Sequence, residues 1–109
     1  MIVRIYWGRI APGSLPSIEQ VYRQYDAASV PGLRARFVSQ DINDPESIYV
    51  ITVWDDMASI ERWVASDDYK TRITRALAPF IVGARSLSLS EVRVEDLARL
   101  VPGAGNAAS

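Results

Sequence analysis

Apolar and polar positions in the first third of the chain predict a strand followed by a helix. Residues Ile2 to Ile10 are almost all apolar or β-branched, with aromatics and single arginines, and the turn residues Ala11-Pro12-Gly13 follow them. Apolar residues then recur at spacings of three and four, which is the pattern of one helix face. They are Ile18, Val21, Tyr22, Tyr25 and Ala28. We expect Ser14 or Ser17 to cap this helix and Pro31-Gly32 to end it.

The middle of the chain predicts two strands joined by a turn. The second strand is expected over Leu33 to Ile42 and the third over Ser47 to Trp54, with the turn residues Asn43 to Glu46 between them. Alternation in the second strand places Leu33, Ala35 and Phe37 on one face and Arg34 and Arg36 on the other. We interpret the two arginines as solvated residues of an edge strand, where they discourage pairing with another sheet.

A second helical region and a last strand follow. Asp55-Asp56 offer an N-terminal cap and Ser66-Asp67-Asp68 a second one, so the helix is expected to restart and to run to Phe80. Its apolar face comprises Met57, Ile60, Trp63 and Val64 before the second cap, and Tyr69, Ile73, Ala76, Leu77 and Phe80 after it. The fourth strand is expected within Ile81 to Val94, where serines and leucines alternate.

These elements occur in the order β-α-β-β-α-β, which is the signature of a ferredoxin-like α+β domain. The usual sheet of this class is antiparallel, with the first and third strands in the centre and both helices on one face. We expect a single domain over residues 1–94. Residues 95–109 are expected to form a tail, with one short helical turn from Glu95 to Leu100 and frayed residues after it.

The third strand is apolar on both of its faces. Ile48, Val50 and Trp54 point one way, and Tyr49, Ile51 and Val53 point the other. Two helices cover only one face of a sheet, and soluble monomers rarely expose an apolar patch of more than a few hundred Å². We therefore expect a homodimer that packs sheet against sheet. The alternative is that the tail from Glu95 onward folds across this face.

The composition excludes several classes of active site. The chain has 109 residues and contains neither Cys nor His. Disulfides, thiolate nucleophiles, Ser-His-Asp triads, imidazole- or thiolate-bound zinc and His-ligated haem are therefore excluded. Chemistry in this chain has to use carboxylates, Tyr, Trp, Arg, hydroxyl groups or backbone donors.

Charge and hydropathy bear on the partners of the protein. Lys and Arg total 12 and Asp and Glu total 13, a formal net charge of −1, so no basic surface for a nucleic-acid backbone is expected. No apolar run approaches the ~20 residues of a membrane span. No targeting segment is recognised before the first strand. We expect a cytoplasmic protein that binds neither nucleic acid nor membrane.

One segment resembles a known family. Trp54-Asp-Asp-Met-Ala-Ser-Ile-Glu-Arg-Trp63-Val-Ala-Ser-Asp-Asp-Tyr69, followed by Leu77-Ala-Pro-Phe80, is similar to the second-helix region of the antibiotic biosynthesis monooxygenase family. The resemblance implies a dimeric α+β barrel with a ferredoxin-like subunit. It also implies cofactor-free oxygenation of an aromatic, polyketide-like molecule, in which a phenol becomes a quinone without metal or flavin.

The resemblance further implies a set of site residues. Trp63 and Tyr69 have the spacing of donors proposed in the family, Arg85 corresponds to an arginine near the start of the last strand, and Ser59 stands where the family has an Asn donor. We expect Trp63, Tyr69 and Arg85 to be catalytic. The residues expected to contact the substrate are Tyr6, Tyr22, Tyr25, Ser59 and Phe80.

Each of these residues also has a purely structural interpretation. Core packing between helices and sheet accounts for the aromatic residues, and a surface ion pair accounts for Arg85. Asp55 and Asp56 are better explained as helix caps than as catalytic carboxylates. Two other functions stay open: a non-oxidative isomerase or cyclase with a carboxylate or Tyr base, and a non-catalytic dimer that binds a hydrophobic small molecule or a partner.

Overall fold

The chain forms a four-stranded antiparallel sheet with helices on one face. This computed structural model describes residues 1–98. The strands are β1 (Ile2–Ile10), β2 (Leu33–Gln40), β3 (Ser47–Trp54) and β4 (Ile81–Glu91), and they lie in the order β2-β3-β1-β4. The ferredoxin-like α+β class, with the first and third strands in the centre, is confirmed.

The first helix is shorter than the sequence pattern predicts. α1 (Leu15–Arg23) is followed by a separate 3₁₀ turn, Ala27–Ser29. Asp26 precedes that turn, and its carboxylate accepts a hydrogen bond of 3.0 Å from the Ala28 N–H. Such local side-chain bonds compete with helix formation. The expected continuous helix up to Pro31 was therefore wrong.

The second helical region consists of three pieces. α2 (Met57–Val64) is followed by a π-helical turn (Asp68–Ile73) and by α3 (Thr74–Leu77). The Ser66 hydroxyl donates to the Trp63 carbonyl at 2.5 Å and accepts from the Tyr69 N–H at 3.2 Å. The restart at Ser66 is confirmed, although the new segment begins with π-helical bonds. Within residues 1–98, no helix has the length and apolar character needed to cross a bilayer.

The strand register divides the sheet residues between a covered face, under the helices, and an outer face. On the covered face, Arg4 pairs with Thr52 and Tyr6 with Val50. The apolar pairs of the outer face are Val3 with Val53, Ile5 with Ile51, and Trp7 with Tyr49. Apart from Thr52, β3 is therefore apolar on both faces, as predicted. The core lies on the covered face and contains Ile10, Ile18, Tyr22, Ile48, Val50, Ile73 and Leu77.

Simple alternation fails at the start of β2. Leu33 pairs with Trp54 and Ala35 with Val53, so Arg34 is an inserted residue at this point. Leu33 therefore shares the covered face with Trp54. The prediction that Leu33 and Ala35 lie on one face was wrong, because the bulge reverses the side of every residue that precedes it.

Arg36 lies beneath the end of α1 instead of in solvent. Its Nη2 atom donates to the carbonyl oxygens of Tyr22 at 2.7 Å and Tyr25 at 2.8 Å. Helix ends leave such carbonyls without partners in the helix, and a cation satisfies them well. Partial burial lowers the pKa of the Arg36 guanidinium. The interpretation of Arg36 as a solvated edge residue was therefore wrong, whereas Arg34 is exposed and pairs with Asp55.

The chain after β4 turns toward the outer face. Residues between 92 and 97 border a groove of about 370 Å³ that also contacts Val3. These residues cover only one end of the outer face. Phe37, further along that face, is 42% exposed, and Val94 itself is 78% exposed. Residues 95–98 of the expected helical turn are not helical, and its remainder lies outside the described residues, as does the tail to residue 109.

Candidate functional site

A cavity of about 220 Å³ lies between the covered face of the sheet and the helices. No Asp or Glu is among its lining residues. They are Arg4, Tyr6, Tyr22, Val50, Tyr69, Ile73, Thr74, Leu77, Ala78, Ile81 and Arg85. The fold thus brings together four residues predicted from the sequence, Tyr6, Tyr22, Tyr69 and Arg85. Nowhere within residues 1–98 do three or more acidic side chains cluster closely enough to hold a metal ion.

Arg4 is the buried cation of this cavity, and reasoning from the sequence missed it. The residue is 8% exposed, and its Nη2 atom donates to the Tyr69 hydroxyl at 3.1 Å. Among residues 1–98, no carboxylate lies within ion-pair distance of Arg4. The sequence did contain an indication of this. Side chains alternate along a strand, so Arg4 lies on the same face as Tyr6 and Ile10, which is the face under the helices.

Tyr69 projects from the π-helical turn toward Arg4. The central guanidinium carbon of Arg4 lies 5.7 Å from the centroid of the Tyr69 ring. The Thr74 hydroxyl donates to the Tyr69 carbonyl at 2.8 Å, across the wide turn, and both residues line the cavity. Single π-helical turns are frequent at functional sites because they redirect side chains.

Trp63 packs against the side of Tyr69. The two rings meet edge to face, with centroids 5.9 Å apart and planes inclined by 68°. Trp63 is not among the residues that line the cavity of Arg4 and Tyr69. It borders a narrow space of about 40 Å³ that also reaches Arg4 and Tyr69. Trp63 therefore contacts the Tyr69 ring without lining the cavity, and this packing helps to fix the position of that ring.

Arg85 lines the cavity next to a bulge in β4. Gly8 of β1 pairs with Arg85, yet the next residue, Arg9, pairs with Val82, so two residues of β4 are inserted here. One of them is Gly83, whose φ of +69° is in the left-handed region that favours glycine. Because two residues are inserted, Arg85 keeps the same side of the sheet as Ile81, the covered face, and it stands at the exposed rim of the cavity.

Tyr6 and Tyr22 bring two more hydroxyl-bearing rings to the cavity. Tyr6 leans over Gly8, so closely that a Cβ at Gly8 would lie 3.0 Å from the Tyr6 hydroxyl oxygen. Burial raises the pKa of Tyr22 far above its ordinary value, and the neighbouring Tyr6 raises it further. Tyr22 therefore stays protonated near neutral pH and can act as a hydrogen-bond donor.

Tyr25, Phe80 and Ser59 lie away from this cavity. Tyr25 and Phe80 pack against the hydrophobic core. Ser59 is buried at the start of α2, where its backbone N–H and its hydroxyl each donate to the Asp56 carboxylate at 2.8 Å. Asp56 thus caps α2 as predicted, and these bonds lower the pKa of its carboxyl. The substrate contacts expected of Tyr25, Phe80 and Ser59 stay predictions.

A comparison with protein families assigns the chain to one of them. The family model for antibiotic biosynthesis monooxygenase matches residues 1–75, which is more than half of the chain. The chain belongs to the antibiotic biosynthesis monooxygenase family. The matched segment contains Arg4, Trp63 and Tyr69 and ends before Arg85.

Solved structures share the fold of this antibiotic biosynthesis monooxygenase family member. SnoaB, a cofactor-independent oxygenase from Streptomyces nogalater, is 19% identical with a TM-score of 0.72, over 86% of this chain and 94% of its own. PA3566 from Pseudomonas aeruginosa is 20% identical with a TM-score of 0.69, over 85% and 94%. A conserved protein from Methanosarcina mazei Go1 is 16% identical with a TM-score of 0.72, over 83% and 91%. These identities establish the fold alone, and no curated protein sequence matches the chain.

Proposed function

We propose that this protein is a cofactor-independent monooxygenase that oxidises a small aromatic hydroxyl compound. The observation that carries the proposal is the hydrogen bond between buried Arg4 and half-buried Tyr69, which lies in a cavity between the sheet and the helices. Family membership supports it, as does the fold shared with an enzyme named as a cofactor-independent oxygenase.

The proposed reaction converts a phenol and O₂ into a quinone and water. Loss of the phenol proton produces an electron-rich anion that reduces O₂ directly. One oxygen atom forms a carbonyl at a ring carbon, and the other leaves as water. The two hydrogens of that water come from the phenol hydroxyl and from the oxidised ring carbon. The ring supplies all four electrons, so no further reductant is needed.

Arg4 and Tyr69 suit the stabilisation of the phenolate. A fixed cation in a site without acidic side chains favours negative charge on the substrate, and low local polarity strengthens the effect. The Tyr69 hydroxyl, held by Arg4, and the protonated Tyr22 offer hydrogen bonds to the substrate oxygen. Since no carboxylate lines the cavity, we assign the departing proton to water. Trp63 positions Tyr69, and Arg85 attracts the anion at the rim.

We also infer that the protein is a homodimer joined through the outer face of the sheet, in a dimeric α+β barrel. The apolar pairs of β1 and β3 on that face support this, as does the exposed Phe37 of β2 beside them. The tail alternative has support at one end of the face only, where residues between 92 and 97 approach it.

Oxygen uptake with a bicyclic phenol tests the oxygenase proposal. A cavity of about 150 Å³ holds benzene, so about 220 Å³ leaves room for 1-naphthol. The purified protein should consume O₂ and form 1,4-naphthoquinone in equal amounts. Arg4→Met and Tyr69→Phe should each lower kcat by about 10²-fold or more, as removal of an oxyanion donor does. Trp63→Phe should lower it less, because Trp63 acts through Tyr69.

Two matched variants serve as controls. Arg9→Met removes an arginine from the same strand but from the opposite face, and Tyr49→Phe removes a hydroxyl from the outer face. Both should retain the oxygen uptake of the parent protein. Equal activity in Arg4→Met and Arg9→Met would refute the proposed site.

Two other functions make different predictions in the same assay. An isomerase or cyclase would form product under nitrogen, whereas the oxygenase would not. A non-catalytic binding protein would bind the phenol without consuming oxygen. The binding alternative is favoured by one observation, the engagement of Ser59 with Asp56 instead of the cavity. The cytoplasmic location stays a prediction from the sequence.

A further inference from the structure

Among the arginines of residues 1–98, Arg4 alone is both buried and without a counter-ion. The arginines that pair with Asp or Glu within residues 1–98 are Arg9, Arg23, Arg34, Arg72 and Arg93. Arg36 donates to two backbone carbonyls instead. Arg4 is buried, and in the described part of the chain its side chain donates only to the Tyr69 hydroxyl.

A buried cation without a counter-ion is unfavourable, since burial removes its hydration. Residues 99–109 contain no Asp or Glu, so no acidic side chain can reach Arg4 from that segment. The cavity is open space beside the guanidinium, and its lining offers no acidic group. An anion that enters the cavity would therefore supply the missing charge.

We propose that the ligand of this cavity is an aromatic carboxylate whose carboxylate group pairs with Arg4. The proposal rests on the proposed function, because it names the substrate class of the same cavity. Val50, Ile73 and Leu77 offer apolar contacts to the ring, and a skeleton of about two rings fits about 220 Å³. The guanidinium fork matches the planar geometry of a carboxylate.

The choice of a carboxylate over a phenol as the partner of Arg4 follows from charge at neutral pH. A carboxyl group with a pKa near 4 is fully ionised there, whereas a phenol with a pKa near 10 is not. Only the carboxylate compensates Arg4 before any reaction starts. A substrate with both groups on adjacent ring carbons would pair its carboxylate with Arg4 and would leave its hydroxyl beside Arg4 to the hydrogen bonds of Tyr69 and Tyr22.

Three ligands with the same naphthalene ring separate these possibilities. 1-Hydroxy-2-naphthoate carries both groups, its methyl ester lacks the negative charge, and 1-naphthol lacks the carboxyl group altogether. Calorimetric titration under nitrogen measures binding without turnover. We expect the Kd of the acid to be at least about tenfold lower than that of the ester or 1-naphthol. A hydrogen bond to a charged group contributes an affinity difference of this size.

The Arg4→Met variant should abolish this preference, and Arg9→Met should keep it. Without ligand, Arg4→Met should melt no lower than the parent protein, because it removes an uncompensated buried charge. Equal binding of acid and ester, a preference that survives Arg4→Met, or a strongly reduced melting temperature of Arg4→Met would each overturn the proposal.

The fate of this proposal can be read separately from that of the oxygenase activity. A preference for the acid without oxygen uptake would support the carboxylate ligand and refute the oxygenase. Oxygen uptake with 1-naphthol, together with equal affinities for 1-naphthol and the acid, would support the oxygenase and refute the carboxylate ligand.

Discussion

Gly32 and Ser59 are packed so closely that no side chain fits between them. A Cβ atom at Gly32 would lie 2.1 Å from the Ser59 hydroxyl oxygen and 2.4 Å from its Cβ. Gly32 also has a φ of +82°, in the left-handed region. The loop that enters β2 therefore rests directly on the first turn of α2. This contact leaves little room at position 59, where the family resemblance implies a larger Asn.

Replacement of Gly32 by alanine should destabilise the protein by about 2–5 kcal/mol. The left-handed backbone contributes about 1–2 kcal/mol of this, and overpacking against buried Ser59 contributes about 1–3 kcal/mol. The double variant Gly32→Ala/Ser59→Gly should recover most of the overpacking part, because the Ser59 Cα would be 3.8 Å away. Urea unfolding of the four proteins of this cycle measures the interaction free energy.

Gly13→Ala is the matched control for the backbone contribution. Gly13 has a φ of +75°, and nothing lies within 4 Å of a Cβ placed there. Its substitution should therefore cost only about 1–2 kcal/mol. If Gly32→Ala cost no more than Gly13→Ala, or if Ser59→Gly gave no rescue, the steric interpretation would be wrong.

Local signals explain which parts of the fold could be predicted. β3 has the predicted bounds, Ser47 and Trp54, because a β-branched and aromatic run lies between turn residues and a helix cap. Asp56 was identified as a possible cap because the capping interaction involves residues within one turn. Neither inference needed knowledge of distant parts of the chain.

Residues that depend on pairing between distant segments could not be assigned in the same way. The bulge at Arg34 changes the side that Leu33 faces, and the bulge at Gly83 shifts the register of Arg85 by two residues. Both depend on the partner strand. Arg36 was assigned to solvent because its partners, the carbonyls at the end of α1, come from another part of the chain. The sequence shows the strand face of Arg4 but not its contact with Tyr69. Arg4 and Tyr69 are 65 positions apart, and only the packed structure brings them into contact.

Gly83→Ala should impair the cavity more than it impairs stability. Nothing lies within 4 Å of a Cβ at Gly83, so the cost arises from its left-handed φ, about 1–2 kcal/mol. Relaxation of that strain would reshape the bulge that places Arg85 opposite Gly8, at the rim of the cavity. Gly13→Ala should lose similar stability but retain the affinity for 1-hydroxy-2-naphthoate. Equal affinities of the two variants would show that the bulge does not position Arg85.

Acid should remove the contribution of the Asp56 cap to stability. Hydrogen bonds from the Ser59 hydroxyl and N–H lower the pKa of Asp56 below its ordinary value of 3.8. The cap therefore stabilises the fold above that ordinary pKa, and its contribution is lost as the pH falls through the lower pKa of the folded protein. Asp56→Ala should lower Tm by a few degrees at pH 7.

The difference between Asp56→Ala and the parent protein should shrink as the pH is lowered below the folded pKa. Asp55→Ala is the adjacent control, since Asp55 only pairs with exposed Arg34 and should change Tm little at any pH. Differential scanning calorimetry across this pH range measures both variants. A constant difference between Asp56→Ala and the parent protein at every pH would contradict a role of the ionised carboxylate.

Ile51→Lys should convert the protein to a monomer that keeps its fold. Ile51 lies in the centre of the outer face, between Ile5 of β1 and Phe37 of β2, so a lysine there places a charge in the middle of the proposed dimer interface. The parent protein should sediment at twice the 12.1 kDa chain mass, and Ile51→Lys at that mass. Leu87→Lys, at an exposed position on the opposite side of the sheet, should leave the dimer intact. A parent protein that sediments as a single chain at low micromolar concentration would refute the dimer, because its outer face would then be exposed to water without a partner.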